Sequence, residues 1–426
     1  MSQTTERDRL VALRRDLHQR PELGWREFYT TARIVEELEA IGVDELYVGP
    51  DAIADERRDV PDEGEIEAAM ARAREAGIDE TTLAHLEGGY TGAMAVLRRG
   101  DGPTIGVRVD IDGLPRSEAD DDDHAPAAEG FRSKHEDRMH ACGHDAHATI
   151  GVGVVEAIAN SDFAGTLKVF FQPGEEMGVG GEVMAKSGHM EDIDYFIAVH
   201  IGLDKDTGVV VPGLDTFLAV NALRAEFEGE PAHAGGHPDW GKNAIQAMTT
   251  AVQNLYAIPR NGDGATRINA GKVGGGTATN IIPEEAFLEC EVRGETTELM
   301  EYMQDKAETV IENAAAMHEC TVDIDANPGT PSADCDEPLV DVVWAAAERT
   351  DGVTDVIDIE ESLGSEDATH MMKRVQDHGG YSTYMGIGGG NEHGHHTARF
   401  DIDEEAIGIG VDVLTNAILD LSEQAA

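Results

Sequence analysis

Thr104-Ile-Gly-Val-Arg-Val-Asp110 has the composition of a short buried strand that ends in a carboxylate. Two later segments repeat the pattern, because Thr166-Leu-Lys-Val-Phe-Phe-Gln172 precedes a pair of glutamates and Asp194-Tyr-Phe-Ile-Ala-Val-His200 ends in a histidine. Apolar residues at helical spacing over 145–159 predict a helix between the first two strands. This alternation predicts an α/β fold with a mostly parallel sheet covered by helices. Such sheets bind ligands at the carboxyl ends of their strands, so we expect the functional site there.

A second series of strands and helices occupies residues 216–328. Its order, strand-helix-strand-strand-helix-strand, predicts an inserted ferredoxin-like α+β domain. The first domain then comprises residues 1–215 and 329–426, and a length of 426 residues suits two domains.

An acidic, helical insert at 49–89 lacks a cluster of candidate ligands. We interpret this insert as a surface elaboration or the edge of a lid.

The charge of the chain is extreme, with 84 acidic against 32 basic residues and a net charge of −52. Such a negative field disfavours nucleic acid and anionic membranes as partners. Disordered chains are also highly charged, but 41% hydrophobic residues in periodic segments indicate a folded core. We therefore expect a salt-adapted, halophilic protein whose surface charges are screened by salt.

The predicted compartment follows from the cysteines and from the apolar segments. The four cysteines show no disulfide framework, which suits a reducing environment. The N-terminus lacks an apolar signal core, and no run of about 18 apolar residues occurs. We expect a soluble protein in the cytoplasm.

The densest group of candidate ligands is His140-Ala-Cys-Gly-His-Asp-Ala-His147. Thiolate and imidazole bind divalent metals, so Cys142 and His144 are candidate ligands. The alternative is a buried thiol beside a polar turn. His140 and His147 are expected to support the ligands rather than to bind metal.

Glu175 and Glu176 follow a strand and a Pro-Gly turn. Adjacent carboxylates point in different directions, so one can bind metal while the other acts as a general base. A glutamate pair alone is more often solvated surface, and a histidine at a strand end such as His200 is more often a core residue. Their common position at strand ends favours the functional interpretation for both.

Other candidates are less specific. In Glu392-His-Gly-His-His396 the spacing does not choose among the three histidines. His233 has the alternative of an ordinary loop histidine, and Asn280 and Arg293 have equally unremarkable alternatives when taken alone.

Taken together, these segments resemble the di-metal aminoacylase and carboxypeptidase family, in the branch of hippurate hydrolase and the plant indole-acetyl-amino-acid hydrolases. The matching motifs run in order along nearly the whole chain. They are Arg14-Arg-Asp-Leu-His18, Arg108-Val-Asp-Ile-Asp-Gly-Leu-Pro115, His140–His147, Phe171-Gln-Pro-Gly-Glu-Glu176, Val199-His-Ile-Gly202, Ala232-His-Ala234, Thr279-Asn-Ile-Ile-Pro283, Gly364-Ser-Glu-Asp367 and His396-Thr-Ala-Arg-Phe400.

The resemblance implies two divalent ions per subunit, Mn²⁺ or Zn²⁺. It implies five ligands, namely a bridging Cys142, His144 and His200 on one ion, and Glu176 and His396 on the other. Glu175 becomes the general base, and Asp110 orients the site. In the family the inserted domain acts as a lid and dimerises, which implies that His233 reaches a neighbouring subunit's active site while Asn280 and Arg293 hold the substrate carboxylate.

The function implied is hydrolysis of the amide bond of N-acyl or N-aroyl amino acids, with p-aminobenzoyl-glutamate as one candidate. Two alternatives stay open. The chain is a general aminoacylase or hippurate-type hydrolase, or it is a non-catalytic subunit that binds substrate or a partner within a heteromeric hydrolase. A homodimer and a heteromer with a related subunit are both compatible with the resemblance.

Overall fold

The computed structural model describes residues 3–327, 329–361 and 364–424. Pro328, the predicted last residue of the inserted domain, lies outside the described residues. The chain divides into two compact units. The first runs up to Asp215, resumes at Asp334–Glu361 and continues from Glu366; the second is Thr216–Ala333 with a short stretch that ends at Ser365.

The first unit, up to the point where the second unit interrupts it, begins with two helices and continues with strands and helices in mixed order. They are α1 (Gln3–His18), α2 (Phe28–Ile41), β1 (Glu45–Val48), α3 (Glu63–Glu75), α4 (Glu80–His85), β2 (Ala93–Arg99), β3 (Thr104–Asp110), α5 (Ala125–Ala128), α6 (His144–Ala159), β4 (Gly165–Gln172), α7 (Gly180–Ala185), β5 (Tyr195–Gly202), β6 (Val209–Val211) and β7 (Leu214–Asp215).

The second unit contains the predicted alternation and one additional short strand pair. Its elements are β8 (Ala219–Glu228), β9 (Ala232–His233), α8 (Ala244–Leu255), β10 (Thr266–Gly275), β11 (Ile281–Ile282), β12 (Glu285–Gly294), α9 (Thr297–Met317) and β13 (Thr321–Asn327). The sheet order is β10-β12-β8-β13 and every pairing is antiparallel, which is the ferredoxin-like arrangement. Buried side chains of α8 and α9 form one core with this sheet.

The first unit then resumes with α10 (Glu337–Glu348), β14 (Asp355–Val356), β15 (Glu360–Glu361), α11 (Thr369–Asp377), β16 (Tyr381–Gly388) and α12 (Glu405–Gln424). Its main sheet has the order β1-β2-β4-β3-β5-β16-β6-β14. The central strands β4, β3, β5 and β16 are parallel, as predicted, whereas β1, β2 and β6 pair with antiparallel neighbours. The fold is therefore α/β with a mixed sheet.

Helices cover both faces of this sheet because alternate strand residues point to opposite sides. In β4, Val169 and Phe171 join the main core with α1, α6, α10 and α12. Phe170 faces the other way and packs edge-to-face against Phe196 of β5. The central strands are mostly apolar on both faces, which is typical of parallel strands that are covered on both sides.

The insert at 49–89 has a small core of its own. Side chains of α3 and α4, including Ile66, Ala69 and Leu83, pack against Phe28 and Tyr29 of α2. This packing accounts for the helical periodicity of the segment. Among the described residues, no helix is both long and apolar enough to cross a membrane.

Candidate metal centre

The candidate ligands of the first unit follow adjacent strands. Asp110 ends β3, the Glu175–Glu176 pair follows β4, and His200 lies near the end of β5. Because β4, β3 and β5 are neighbouring parallel strands, their carboxyl ends meet at one edge of the sheet. The sheet thus brings together side chains that are up to about ninety positions apart in the chain.

Gly143 allows the chain to turn between Cys142 and His144. It precedes α6 with a φ of 85°, a conformation that side chains other than glycine rarely adopt. A Cβ atom at this position would lie 2.7 Å from Cγ2 of Ile201, so space also requires glycine. The turn places His144 at the first position of a helix that is buried along most of its length.

Two groups of side-chain atoms that could hold a metal ion share the thiol of Cys142. The first group is Cys142, His144 and His200, and the second is Cys142, Glu176 and His396; the ligand atoms within each group lie within 4.8 Å of one another. The Cys142 sulfur is 3.5 Å from Nε2 of His200, and Nε2 of His396 is 3.5 Å from a Glu176 oxygen. One thiolate between two groups suits a bridging ligand.

Hydrogen bonds orient two of the imidazoles. Nδ1 of His200 lies 2.8 Å from the carbonyl oxygen of Ile201, and Nδ1 of His144 lies 3.2 Å from Asp112 Oδ1. A neutral imidazole that donates from Nδ1 keeps an unprotonated Nε2, which is the form that binds metal. Nε2 of His200 lies 3.5 Å from the Cys142 sulfur and Nε2 of His144 lies 3.8 Å from Glu176 Oε1, so these tautomers suit ligation.

The buried polar atoms at this site fit a divalent cation. Nε2 of His144 and Oε1 of Glu176 are buried without a hydrogen-bond partner among the described residues, and they lie 3.8 Å apart. Such unsatisfied atoms are costly in a protein interior. Burial raises the pKa of Glu176 to about 7, and nearby carboxylates add to the effect. A bound cation would satisfy both atoms and would favour the ionised form of Glu176.

Glu175 lies beside these groups, with one carboxylate oxygen 3.8 Å from Nε2 of His144. Burial, followed by the charges of Glu366 and Asp367, raises the pKa of Glu175 well above its ordinary value. A carboxylate with a raised pKa next to a metal site is suited to accept a proton and to release it again.

Asp110 contacts the centre through other side chains. It hydrogen bonds to Nδ1 of His147 and forms an ion pair of 2.8 Å with Arg108. Nε2 of His147 accepts the backbone N–H of Ile201 at 2.7 Å. Both ring nitrogens of His147 therefore form hydrogen bonds, so neither is left to bind a metal ion. Asp110 and His147 are suited to orient the neighbouring side chains.

Asp112 is a residue that sequence reasoning missed. Its two carboxylate oxygens accept the backbone N–H groups of Glu175 and Glu176, at 3.2 and 3.1 Å, in addition to His144. This one carboxylate therefore orients both the turn after β4 and the start of α6. The sequence signal that could have identified Asp112 is the spacing of two aspartates in Arg108-Val-Asp-Ile-Asp112. The first aspartate ends β3, and the second lies two residues beyond that end.

A second missed group surrounds Arg108. The guanidinium contacts Gln172 at 2.8 Å, Glu366 at 3.1 Å and Asp367 at 3.2 Å, all buried. Tyr384 of β16 donates to Glu366 at 2.8 Å. The acidic pair lies just before α11, which begins at Thr369.

The structure separates the three C-terminal histidines. Only His396 joins a metal-binding group among the described residues, and its φ of 60° is unusual for a residue other than glycine. Nε2 of His395 lies 3.1 Å from the carbonyl oxygen of Ile201. His393 is exposed. Strain at His396 is typical of a residue held in place for function.

The remaining predicted residues belong to the second unit. His233 ends β9 and pairs with Ile281, so Asn280 is a near neighbour of His233. The backbone carbonyl oxygen of Asn280 accepts the N–H of Ala234 at 3.0 Å. Nδ1 of His233 accepts two backbone N–H groups, from Gly235 at 3.2 Å and Gly236 at 3.0 Å. The proton of a neutral His233 is therefore on Nε2, as an exposed donor.

Arg293 lies on β12, away from the His233–Asn280 pair in the chain. It forms an ion pair of 3.0 Å with Glu291, and its guanidinium lies 3.5 Å from Oγ of Ser365. Asn280 therefore lies beside His233 of β9, whereas Arg293 lies on β12, and the described contacts do not join the two side chains.

The fold and the paired donor groups define a metallopeptidase-like hydrolase. The model of peptidase family M20/M25/M40 matches residues 106–420. Indole-3-acetyl-aspartic acid hydrolase of Enterobacter agglomerans is 41% identical over 416 residues, which are 96% of this chain and 95% of that protein. The chain therefore belongs to peptidase family M20/M25/M40.

Two further relatives show the same correspondence over nearly the full length. One of the subunits of p-aminobenzoyl-glutamate hydrolase from Escherichia coli (strain K12) is 38% identical, with 95% of this chain and 94% of that protein covered. The crystal structure of an aminobenzoyl-glutamate utilization protein from Klebsiella pneumoniae matches with a TM-score of 0.80 and 34% identity, covering 97% of this chain and 95% of that one.

Proposed function

We propose that this chain hydrolyses the amide bond of N-acyl or N-aroyl amino acids, and that p-aminobenzoyl-glutamate is one candidate substrate. The observation that carries the proposal is the thiol of Cys142, which two candidate metal-binding groups share beside the partly buried Glu175. The names of the relatives describe hydrolases of indole-3-acetyl-aspartic acid and of p-aminobenzoyl-glutamate. Their similarity over the whole chain supports the same bond class here.

We assign the metal ligands as two sets that share Cys142. His144 and His200 complete one set, and Glu176 and His396 complete the other. When bound, two divalent ions lower the pKa of water at the site and polarise the substrate carbonyl. A mixed set of thiolate, imidazole and carboxylate suits Zn²⁺, and the carboxylate also allows Mn²⁺.

Glu175 moves the proton in this mechanism. Its carboxylate takes a proton from the water that attacks the amide carbon, and then passes that proton to the leaving nitrogen. The raised pKa of Glu175 suits both steps, because the carboxyl group holds the proton between them. Asp110 and Asp112 keep the surrounding histidines in the tautomers described above.

We assign His233 to stabilise the oxyanion, because its exposed Nε2–H has no acceptor within the part of the chain that the structure describes. By resemblance this donor serves a neighbouring subunit, so the second unit would act as lid and dimerisation domain in a homodimer or in a heteromer with a related subunit. Asn280 and Arg293 would hold the substrate carboxylate. A cytoplasmic location stays a prediction.

The test is to purify the chain alone, load it with Mn²⁺ or Zn²⁺, and follow amine release from a panel of N-acyl amino acids. Cleavage of aroyl substrates with about two metal ions bound per chain is the expected result. Equal rates across acetyl, benzoyl and aroyl substrates would indicate the general aminoacylase instead. Inactivity that a related second subunit restores would indicate a heteromer, and inactivity with metal bound under all conditions would contradict an enzymatic role.

A further inference from the structure

The turn after β4, which carries the proposed base and a proposed metal ligand, lies against a segment from the start of the chain. The carboxylate of Glu27 accepts the backbone N–H of Gly174 in this turn at 2.8 Å. A Cβ atom at Gly24 would lie 3.1 Å from Cα of Gly174, and a Cβ atom at Gly174 would lie 3.8 Å from Cε2 of Trp25. Residues 24–27 therefore form a platform beside the turn.

Trp25 is the largest side chain of the platform. It is fully buried, and its φ of 62° is unusual for a residue other than glycine. A Cβ atom at Gly89 would lie 2.6 Å from the carbonyl oxygen of Trp25, so this glycine leaves space for the strained backbone. Such a conformation persists only where the surrounding contacts hold it. The contacts of Trp25 therefore determine where the platform lies.

Two arginines of the insert at 49–89 supply these contacts. The carbonyl oxygen of Arg58 accepts the indole Nε1–H of Trp25 at 2.8 Å. The guanidinium carbon of Arg57 lies over two rings, 5.3 Å from the centre of the Trp25 ring and 3.5 Å from the centre of the Tyr90 ring. The same guanidinium donates to the carbonyl oxygens of the two glycines just before Tyr90, at 2.9 and 2.5 Å. Arg57 thus joins the indole ring to the loop before β2.

The insert also contacts α7, the helix that follows the turn. The guanidinium of Arg58 forms an ion pair of 2.6 Å with Glu182. The backbone N–H of Ala54 donates to the carbonyl oxygen of Val183 at 3.0 Å. The insert is itself anchored, because side chains of α3 and α4 pack against α2 in a common core. It therefore contacts both the platform beside the turn and the helix that the turn leads into.

We propose that the insert at 49–89 positions the turn that carries Glu175 and Glu176, and that Arg57 is the positioning residue, which acts through Trp25. The proposal rests on the proposed function, since it concerns the base and a ligand of the same centre. A shift of the platform moves the backbone of Gly174, and with it the two carboxylates that follow. Misplacing a reacting group by about 1 Å can cost about 100-fold in rate.

The first test titrates the metal-free full chain with Co²⁺ alone, in concentrated KCl that screens weak binding to the acidic surface. The absorption spectrum of bound Co²⁺ reports on the geometry of its ligands. We expect Arg57→Gln to weaken binding by about 10-fold and to change the spectrum at saturation. Arg57→Lys keeps a cation over the two rings and should restore part of the affinity. Arg74→Gln removes the same charge from α3, where its partner is the exposed Glu80, and should behave as wild type.

The second test measures the kinetics of the metal-loaded chain with p-aminobenzoyl-glutamate. At saturating metal, Arg57→Gln should lower kcat by about 10- to 100-fold and leave KM close to that of wild type. The reason is that the turn carries the base but none of the residues assigned to the substrate carboxylate. Trp25→Phe keeps a ring on the platform but loses the donor to Arg58, and it should show a smaller change in the same direction.

Wild-type Co²⁺ affinity and spectrum in Arg57→Gln would overturn the proposal, whether or not the chain cleaves an amide. A lower free energy of unfolding with unchanged Co²⁺ binding would show that Arg57 only stabilises the insert, and would overturn it as well. Weaker Co²⁺ binding with an altered spectrum would support the positioning role even if wild type cleaved no N-acyl amino acid. If Arg57→Gln fails to fold, the milder Trp25→Phe is judged by the same outcomes.

Discussion

At the residue scale, the centre separates atoms that would bind metal from atoms that orient them. Cys142, His144 and His200 direct sulfur and nitrogen atoms toward one another, whereas His147 uses both ring nitrogens for hydrogen bonds. Glu175 and Glu176 are adjacent in sequence but belong to different environments. Both glutamates group with His144, but only Glu176 groups with Cys142 and His396, and only Glu175 groups with Glu366 and Asp367. This difference supports the proposed assignment of Glu176 as ligand and Glu175 as base.

Glu175→Gln tests the base. The amide keeps the size of the side chain but cannot accept the proton, so we expect kcat to fall by about 10²–10⁴-fold with unchanged metal content. The measurements are amine release and metal analysis of the same preparation. Glu75→Gln removes an equal charge from an exposed position and should behave as wild type. Full turnover in Glu175→Gln would refute the assignment.

Asp112→Asn tests the orienting carboxylate. An amide has one oxygen, so it cannot accept from both backbone N–H groups and from His144 at once. Loss of such supporting bonds typically weakens metal affinity by about 10- to 100-fold. Metal titration of the apoprotein measures this directly, with Asp120→Asn, at an exposed position, as the control. Affinities equal to wild type would show that Asp112 has no orienting role.

At the scale of elements, a buried polar network joins α1 to α6. Arg14 of α1 forms an ion pair of 2.7 Å with Asp145 in the first turn of α6, and Nδ1 of His18 contacts the same carboxylate at 2.8 Å. Nε2 of His18 lies 2.9 Å from Glu118. The network lies directly after the Cys142–His144 turn in the chain, so it fixes the start of the helix that bears this turn.

The network predicts a pH dependence of stability. Burial and the charge of Arg14 oppose the imidazolium of His18, but Asp145 and Glu118 outweigh them and raise the pKa of His18 to about 9. The unfolded value is about 6.5. Because the folded pKa is raised, the stabilisation is complete below about pH 6.5 and is lost as the pH rises toward 9.

Denaturant unfolding of wild type and His18→Gln at several pH values measures this effect. We expect the difference in the free energy of unfolding between them to shrink between about pH 6.5 and about pH 9 at constant salt. A difference that stays constant over this interval would show that His18 is not charged in the folded protein.

At the scale of the whole molecule, the net charge of −52 is the dominant property. Self-repulsion of this size destabilises a compact state, and salt reduces it. The screening length falls from about 10 Å at 0.1 M to about 3 Å at 1 M. We therefore expect the free energy of unfolding and the activity to rise with KCl over this range, in line with the predicted salt adaptation.

A charge-reduced variant provides the control for the salt effect. Glu63, Glu67 and Glu75 are exposed on α3. Their replacement by glutamine makes the net charge three units less negative and changes no residue of the metal centre. The variant should show a weaker dependence of stability on KCl than wild type. A parallel or steeper dependence would indicate that salt acts through apolar burial rather than through screening.

The sequence by itself determined the strand ends and the residue types of the site. Apolar runs closed by Asp110, by the Glu175–Glu176 pair and by His200 predicted a parallel sheet with its site at the carboxyl edge, and the central strands of the sheet have this form. These features are local, because a strand end and the side chain that follows it depend on consecutive residues of the sequence. The family was likewise readable from motifs that keep their order along the chain.

Only the tertiary structure decided how side chains distant in sequence meet. Spacing did not choose His396 among three histidines, and it did not show that Asp112 contacts α6 as well as the turn after β4. It also did not place Arg57 over the ring of Trp25, because that contact depends on how the insert packs against α2. Register and helix placement come from packing of the whole core, so no local pattern specifies them.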